Sequence, residues 1–201
     1  MNAYEAITGR RSLRQLATLP VPRPLIQKLL YAACLAPAPH HTKPWRFIHL
    51  ESAGSRSRLA EAMGVAWQRD LEGDGVPESK IAYLLERSRR QIEGAPALVL
   101  GCLVGDGLRA WPDKRRRRAE WRMAMQSMGC ALENMMVAAQ AEGLASYWLS
   151  APLFCPDAVR DALDLPAEYE AQALVVFGYQ QAGVTPRPRQ EPDLATLLQT
   201  R

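Results

Sequence analysis

The sequence predicts an α+β domain in which a small central sheet of short strands is covered by helices. Three observations carry this. Four apolar runs of strand length, at 46–51, 97–104, 146–150 and 171–178, are set among longer stretches whose apolar residues recur at three and four. The run is helix-rich and does not alternate strand and helix regularly, since two helical stretches separate the first two strands, which argues against a doubly wound sheet. No G-x-G-x-x-G follows a strand and no Walker A motif is present, so the common nucleotide-binding layouts are excluded.

The elements follow in order. Ala3 to Thr8 reads as a short helix. Pro22 to Leu35 is a second, with Leu25, Ile26, Leu29, Leu30 and Ala33 on one face and two prolines in the first turn, where a missing N–H is harmless. Arg46 to Glu51 alternates and is short, so it reads as a strand. Ser55 to Leu71 is helical and is broken at Gly73-Asp74-Gly75; Pro77 to Glu93 is the next helix. Ala97 to Val104 is continuously apolar, as a central strand covered on both faces should be. Ala119 to Ala141 is the longest helix. Its Trp121, Ala124, Met125, Met128, Leu132, Met135, Met136 and Ala139 form a stripe that predicts a core position, and Gly143 ends it. Ser146 to Ser150 is a strand, Pro156 to Leu163 a short helix and Ala171 to Gly178 the last strand. From Gly183 to Pro192, Pro186, Pro188 and Pro192 predict an extended tail.

Bulk properties narrow the function. With 201 residues the chain forms one domain, 1–201, large enough to bury roughly 70% of its unfolded surface without a disulfide or metal. The net charge of +4 suits an anionic ligand and is too small to argue for nucleic acid. Cys34, Cys102, Cys130 and Cys155 form no C-x-x-C pair and read as buried free thiols in a reducing cytoplasm. No apolar run reaches the roughly 18 residues of a membrane helix. Arg10-Arg11 lacks the apolar segment that a twin-arginine export signal requires.

Four segments carry chemistry. Arg10-Arg11-Ser12-Leu13-Arg14 is a dense donor set for a phosphate, or alternatively a solvated helix end. Pro186-Arg187-Pro188-Arg189 is a second cationic set, or a basic tail. Between 36 and 44, Pro37, Pro39 and Pro44 stiffen a loop that carries His40, His41, Thr42 and Lys43 ahead of Trp45. Adjacent histidines in a strand-like loop point to opposite sides, and no acidic or cysteine partner stands at ligand spacing, so no metal site is read there. Hydrogen bonding to an anionic or heteroaromatic ligand is the better use of the pair. Lys114-Arg115-Arg116-Arg117-Arg118 is the most basic run and reads as a solvated loop before the long helix. It is also the basis for two other readings: a nucleic-acid contact or the border of a site for an anionic substrate. No Ser-His-Asp or Cys-His constellation emerges.

Taken together these residues resemble the nitroreductase family of FMN-dependent oxidoreductases. The markers are 10–14, the loop ending in Lys43-Pro44-Trp45, the helix Gly129-Cys130-Ala131-Leu132-Glu133-Asn134 leading to Gly143-Leu144-Ala145-Ser146-Tyr147-Trp148, the strand end Gly178-Tyr179, and 186–189. Within the family the chain is most similar to the C-terminal reductase domain of the bifunctional enzyme of coenzyme F-420 biosynthesis, through 36–44, 66–75 and 153–166. The glutamate-ligase domain of that enzyme has no counterpart in the chain.

The resemblance implies a three-layer fold, a homodimer with exchanged C-terminal tails and two FMN sites at its interface. Arg10, Arg11, Ser12, Arg187 and Arg189 would serve the FMN phosphate, and Arg14 the pyrimidine edge. His40, His41 and Thr42 would come from the other subunit. Ser150, Ala151 and Pro152 would line the isoalloxazine through backbone groups. Relatives often have Asn at the position of His41, Gln at Lys43 and Pro-x-Glu-Gly at 150–153, so the histidines and Lys43 would alternatively serve an acidic substrate. The implied chemistry is hydride transfer through the flavin, with NAD(P)H as donor and no side chain named as catalytic. The implied substrate is the dehydro (enol-pyruvyl) precursor of coenzyme F-420, with Lys43, Arg115 and Arg116 near its anionic groups. The alternatives are a general nitro or quinone reductase, a flavin-holding protein without turnover, and a basic nucleic-acid-binding module.

Overall fold

A computed structural model describes residues 1–201. Its seven helices are α1 (Ala3–Gly9), α2 (Arg23–Cys34), α3 (Ala53–Gly73), α4 (Glu78–Glu93), α5 (Lys114–Ala141), α6 (Pro156–Ala162) and α7 (Leu194–Leu197). The strands are β1 (Trp45–His49), β2 (Ala97–Leu103), β3 (Ala145–Leu149) and β4 (Glu170–Gly178). The sheet has the order β1-β2-β4-β3 and every pair is antiparallel. The α+β expectation therefore holds. No helix is long and apolar enough to cross a membrane.

The unbroken apolar runs of β2 and β4 make them the two central strands. All of β2 is buried, and Val99 faces Val175 across the pair. Alternate residues feed two cores. On one face Val99, Leu103, Ala173, Val175 and Phe177 meet Ile26, Leu29, Met128, Leu132 and Met135 of α2 and α5. On the other, Leu98, Leu100, Tyr147, Leu174 and Val176 meet Leu59, Met63, Ile92 and Val159 of α3, α4 and α6. Each fully buried aliphatic side chain contributes about 1.5–3 kcal/mol, so the helix–sheet–helix sandwich needs no covalent staple. Gly101 lets α5 approach β2, because a Cβ there would lie 3.3 Å from both Leu132 Cδ2 and Met128 Sδ.

The segment after α1 is not a free linker. Leu13 N–H donates to the Ser146 carbonyl (3.1 Å), Ala17 N–H to that of Tyr179 (2.8 Å) and Gln181 N–H to that of Gln15 (3.2 Å). Residues 12–17 thus run across the start of β3 and the end of β4. This pins the arginine-rich segment to the sheet.

Four expectations are corrected. The basic run is not a loop: α5 begins at Lys114, because the Asp113 carboxylate accepts the Arg116 N–H (2.9 Å) and caps it. Like-charge density hid an N-cap that satisfies the first turn. Met125 is exposed and Trp121 half-buried, while Ala124, Met128, Leu132, Met135, Met136 and Ala139 form the buried stripe. Cys34 and Cys130 are exposed and Cys155 is half-buried; only Cys102 is buried, which pushes its thiol up to about 12. The histidine loop is not strand-like but a 3-10 turn, Pro39–His41, closed by Thr42.

Candidate functional site

The first cluster forms where α1 ends. Arg10 Nε donates to Glu133 Oε1 of α5 at 2.9 Å, and the remainder of its guanidinium has no bond within the chain. Arg189 comes back along the tail to the same place: its Nη2 donates to the Arg10 carbonyl (2.6 Å) and its Nη1 to that of Ile7 (3.5 Å). These two arginines are 179 residues apart in sequence and meet at one helix end. Ser12 is exposed beside them, bridged through its backbone to Ser146. The Ser146 hydroxyl and the Trp148 indole N–H, both on β3, are buried without a partner. Arg11 behaves differently. Its Nη1 donates to the Thr8 (2.6 Å) and Arg10 (3.0 Å) carbonyls, so it caps α1. Arg187 is exposed and makes no side-chain bond.

The second cluster is a cleft of about 330 Å³ between residues 14–16 and α4, lined by Arg14, Arg87, Arg90, Tyr83, Gln91 and Tyr147 among others. The Arg14 guanidinium lies 5.6 Å from the Tyr147 ring centre. Burial pushes the Tyr147 phenol up to about 12, against the pull of Arg14, so the phenol is neutral at physiological pH. Arg90 pairs with Glu86 (3.1 Å), whereas no carboxylate lies within 4 Å of Arg14 or Arg87. Sequence reasoning found Arg14 and missed Arg87, Arg90 and Gln91. Their signal was available: 83, 87, 90 and 91 share one face of α4, but that helix carries charge on several faces and nothing marked one as special.

The third cluster joins the histidine turn to the basic helix. Glu120 of α5 is buried and accepts from the Arg109 N–H (3.1 Å) and from Trp111 Nε1 (3.0 Å). His40 Nε2 lies 3.0 Å from Glu120 Oε1. The Trp111 and Arg109 bonds hold the Glu120 carboxyl below its usual range, with His40 adding to the effect. His41 and Lys43 are exposed, and Thr42 Oγ1 donates to the Pro39 carbonyl (2.7 Å). Trp111 continues the network, since the Arg116 guanidinium lies over its ring at 4.6 Å and Arg117 donates to its carbonyl (3.0 Å). Arg116 is therefore bound up in its own helix start. The free cations of the run are Lys114, Arg115 and Arg118, which with Arg122 border a shallow cleft of about 440 Å³.

Ser150, Ala151 and Pro152 follow β3. Ser150 precedes the 3-10 turn Ala151–Phe154, Pro152 is buried, and Phe154 is 82% exposed. The structure thus brings Arg10 and Arg189 together, places Arg14 with two unforeseen arginines, and leaves Arg115 apart from Arg116 in role. No group of three histidine, cysteine, aspartate or glutamate side chains is arranged to hold a metal ion.

Known proteins show the same arrangement of elements. The BluB-like flavoprotein of Clostridium difficile 630 superposes with a TM-score of 0.80 at 23% identity, covering 100% of this chain and 99% of that one. The FMN-dependent nitroreductase of Mycobacterium smegmatis, solved in complex with NADPH, gives 0.71 at 21% identity, covering 99% and 97%. In sequence, iodotyrosine deiodinase of Drosophila melanogaster is 30% identical over 205 residues, covering 96% of this chain and 65% of its own length. The chain spans 63% to 65% of the length of the deiodinases it matches. The model of the nitroreductase family matches residues 7–179, from the helix that presents Arg10 to the tyrosine that ends the sheet, and the chain belongs to that family.

Proposed function

We propose that this chain is an FMN-dependent oxidoreductase that works as a homodimer and reduces an anionic small molecule, with NAD(P)H as the electron donor. The observation that carries the reading is the pair of cationic clusters strung along residues 10–14. One is Arg10 with Arg189, two cations that meet at the end of α1. The other is the cleft of Arg14, Arg87 and Arg90, flanked by two tyrosines. A flavin mononucleotide has that charge pattern: a dianion at one end and an electron-poor heteroaromatic ring at the other. The orphaned Ser146 hydroxyl and Trp148 N–H lie on the strand that joins the two clusters.

Bound FMN would supply two-electron hydride chemistry. Arg10 and Arg189 would neutralise the phosphate, Ser12 would donate to it, and Arg187 would add long-range attraction. Arg14, Arg87 and Arg90 would put positive charge at the pyrimidine edge, where electron density rises on reduction. Ser150 and Ala151 would border the ring. His40, His41 and Thr42 would reach it from the partner subunit. Exposed Tyr4, Ile7, Tyr31, Leu35 and Phe154 supply apolar surface for that partner, and the tail beyond Arg189 would extend across it.

The specific substrate we propose is the dehydro (enol-pyruvyl) precursor of coenzyme F-420, which the local resemblance at 36–44, 66–75 and 153–166 supports. Its anionic groups would meet Lys43, Arg115 and the neighbouring free cations. A second reading, reductive dehalogenation of a halotyrosine, is supported by the 30% identity to the Drosophila deiodinase.

The test begins with the visible spectrum of the purified protein and the mass of the released chromophore. FMN is expected; a colourless protein that takes up no FMN refutes the cofactor. The loaded enzyme is then offered the F-420 precursor, iodotyrosine, a nitroaromatic and a quinone under NAD(P)H. Preferred turnover of the precursor supports the first reading, and preferred turnover of iodotyrosine replaces it with the second. Turnover of the nitroaromatic or quinone alone makes the enzyme a general reductase.

A further inference from the structure

The buried Glu120 carboxylate has no part in the chemistry outlined above, yet it is the most heavily bonded side chain of the site. Its side chain is 5% exposed, and it collects Arg109 N–H, Trp111 Nε1–H and His40 Nε2. Acidic residues are seldom this buried unless several donors meet them. Two of the three donors tie down residues 105–113; the third ties down the histidine turn.

That turn is strained. His40 and His41 have φ of 53° and 58°, two successive non-glycine residues in the left-handed region. Such a pair persists only where the surroundings over-determine it. Here the Thr42 N–H and Oγ1–H both return to the Pro39 carbonyl, at 2.9 and 2.7 Å. The Thr42 methyl packs on Gly107, whose φ is +76° and where a Cβ would sit 3.0 Å from Thr42 Cγ2. Glu120 closes the remaining side by holding His40. The result is one clamped imidazole and one, His41, that is exposed and makes no hydrogen bond within the chain. A carboxylate oxygen 3.0 Å from Nε2 favours the hydrogen on that nitrogen over Nδ1.

We propose that Glu120 is a positioning residue of the cofactor site, which acts through His40 to hold the left-handed turn that presents His41 to the flavin of the partner subunit. The proposal rests on the reading that the His40–Thr42 loop meets FMN. No acid or base role is given to Glu120.

The test is a double-mutant cycle read by FMN affinity, from flavin fluorescence, with Glu120→Gln, His40→Gln and the two combined. Oε1 meets Arg109 N–H and His40 while Oε2 takes Trp111 Nε1–H, so a glutamine sets its NH2 against a donor whichever way it faces. Each single change is expected to weaken FMN about ten-fold, and the double change no more than either alone, since both release the same turn. Additive losses would make Glu120 a general support for the 105–113 loop and overturn the proposal, as would unchanged affinity in either single variant. Imidazole 15N shifts at pH 8 give a second readout: His40 is expected as the Nε2–H tautomer in the natural protein and as a mixture in Glu120→Gln. Identical spectra overturn the clamp. If Glu120→Gln does not fold, the natural protein decides through its own 15N spectrum, where a His40 carrying its hydrogen on Nδ1 overturns the clamp. A natural protein that takes up no FMN defeats the cofactor reading instead, and the tautomer measurement still judges whether Glu120 holds His40.

Discussion

Glu133 is the one carboxylate bonded in the Arg10–Arg189 cluster that we assign to the FMN phosphate, and replacing it with glutamine is expected to tighten FMN. Arg10 spends its Nε–H on Glu133 Oε1 at 2.9 Å, so a phosphate would meet the opposite edge of the guanidinium. That puts the phosphate about 7 Å from the Glu133 carboxylate. Two unit charges at that distance repel by about 2.4 kcal/mol at an effective dielectric of ~20 and by about 0.6 kcal/mol in bulk water. Glu133 is 44% exposed, which favours the weaker end, and the phosphate carries more than one charge. About 1 kcal/mol is the resulting figure, a gain of about five-fold in affinity. Glutamine keeps an acceptor for Arg10 Nε–H, so the guanidinium stays aimed. Titration of apoprotein with FMN at low and high salt measures the effect, and the gain should shrink as salt rises. Affinity that is the same in Glu133→Gln and the natural protein at low salt would show that no phosphate stands within reach of Glu133, and its placement on Arg10 would have to be abandoned.

Three further changes follow. Arg189→Ala removes the cation that joins the tail to Arg10 and should release FMN more readily, by about ten-fold; unchanged flavin retention on gel filtration counts against the phosphate assignment. Gly107→Ala forces a left-handed alanine against Thr42 and should cost roughly 1–2 kcal/mol, a fall in Tm of about 2–8 °C for a chain of this size, and an undiminished Tm would mean the loop relaxes freely. Glu120 has its carboxyl held below the ordinary value of 4.5, so its stabilisation is full above that value and fades as pH falls through the lower folded one. The Tm gap between the natural protein and Glu120→Gln should therefore be constant from pH 7 to 5 and narrow below about 4.5; a gap independent of pH into the acid range would contradict the buried-carboxylate assignment.

The fold was legible because its signals are local. The unbroken apolar runs of β2 and β4 reported two covered faces, and the stripe at Met128, Leu132 and Met135 reported a core helix. Arginine and proline patterns marked Arg10, Arg14 and Arg189, and the chain does bring Arg10 and Arg189 together. What escaped notice depends on tertiary partners. Arg87 and Arg90 look like any charged α4 face until residues 14–16 close the cleft. Glu120 looks like an ordinary polar position near the start of a helix until Arg109, Trp111 and His40 converge on it. The left-handed histidines were hidden because loop backbone signs are set by their anchors, here Glu120 and Gly107, and not by the residues themselves.

The basic run illustrates how a single stretch divides its labour. Five adjacent cations suggest one surface with one purpose, yet Arg116 is stacked on Trp111 and capped by Asp113, and Arg117 binds two carbonyls. These two build the helix start that positions Glu120 one turn later. Lys114, Arg115 and Arg118, joined by Arg122, point their charge at no carboxylate of their own chain. A nucleic-acid surface would be expected to leave the whole run free along a groove, with aromatic side chains to stack bases; here the nearby aromatic, Trp111, is already occupied on its face by Arg116. Lys114, Arg115, Arg118 and Arg122 border a cleft of about 440 Å³ instead. The run thus divides into Arg116 and Arg117, which hold the helix start, and cations that no carboxylate of the chain neutralises.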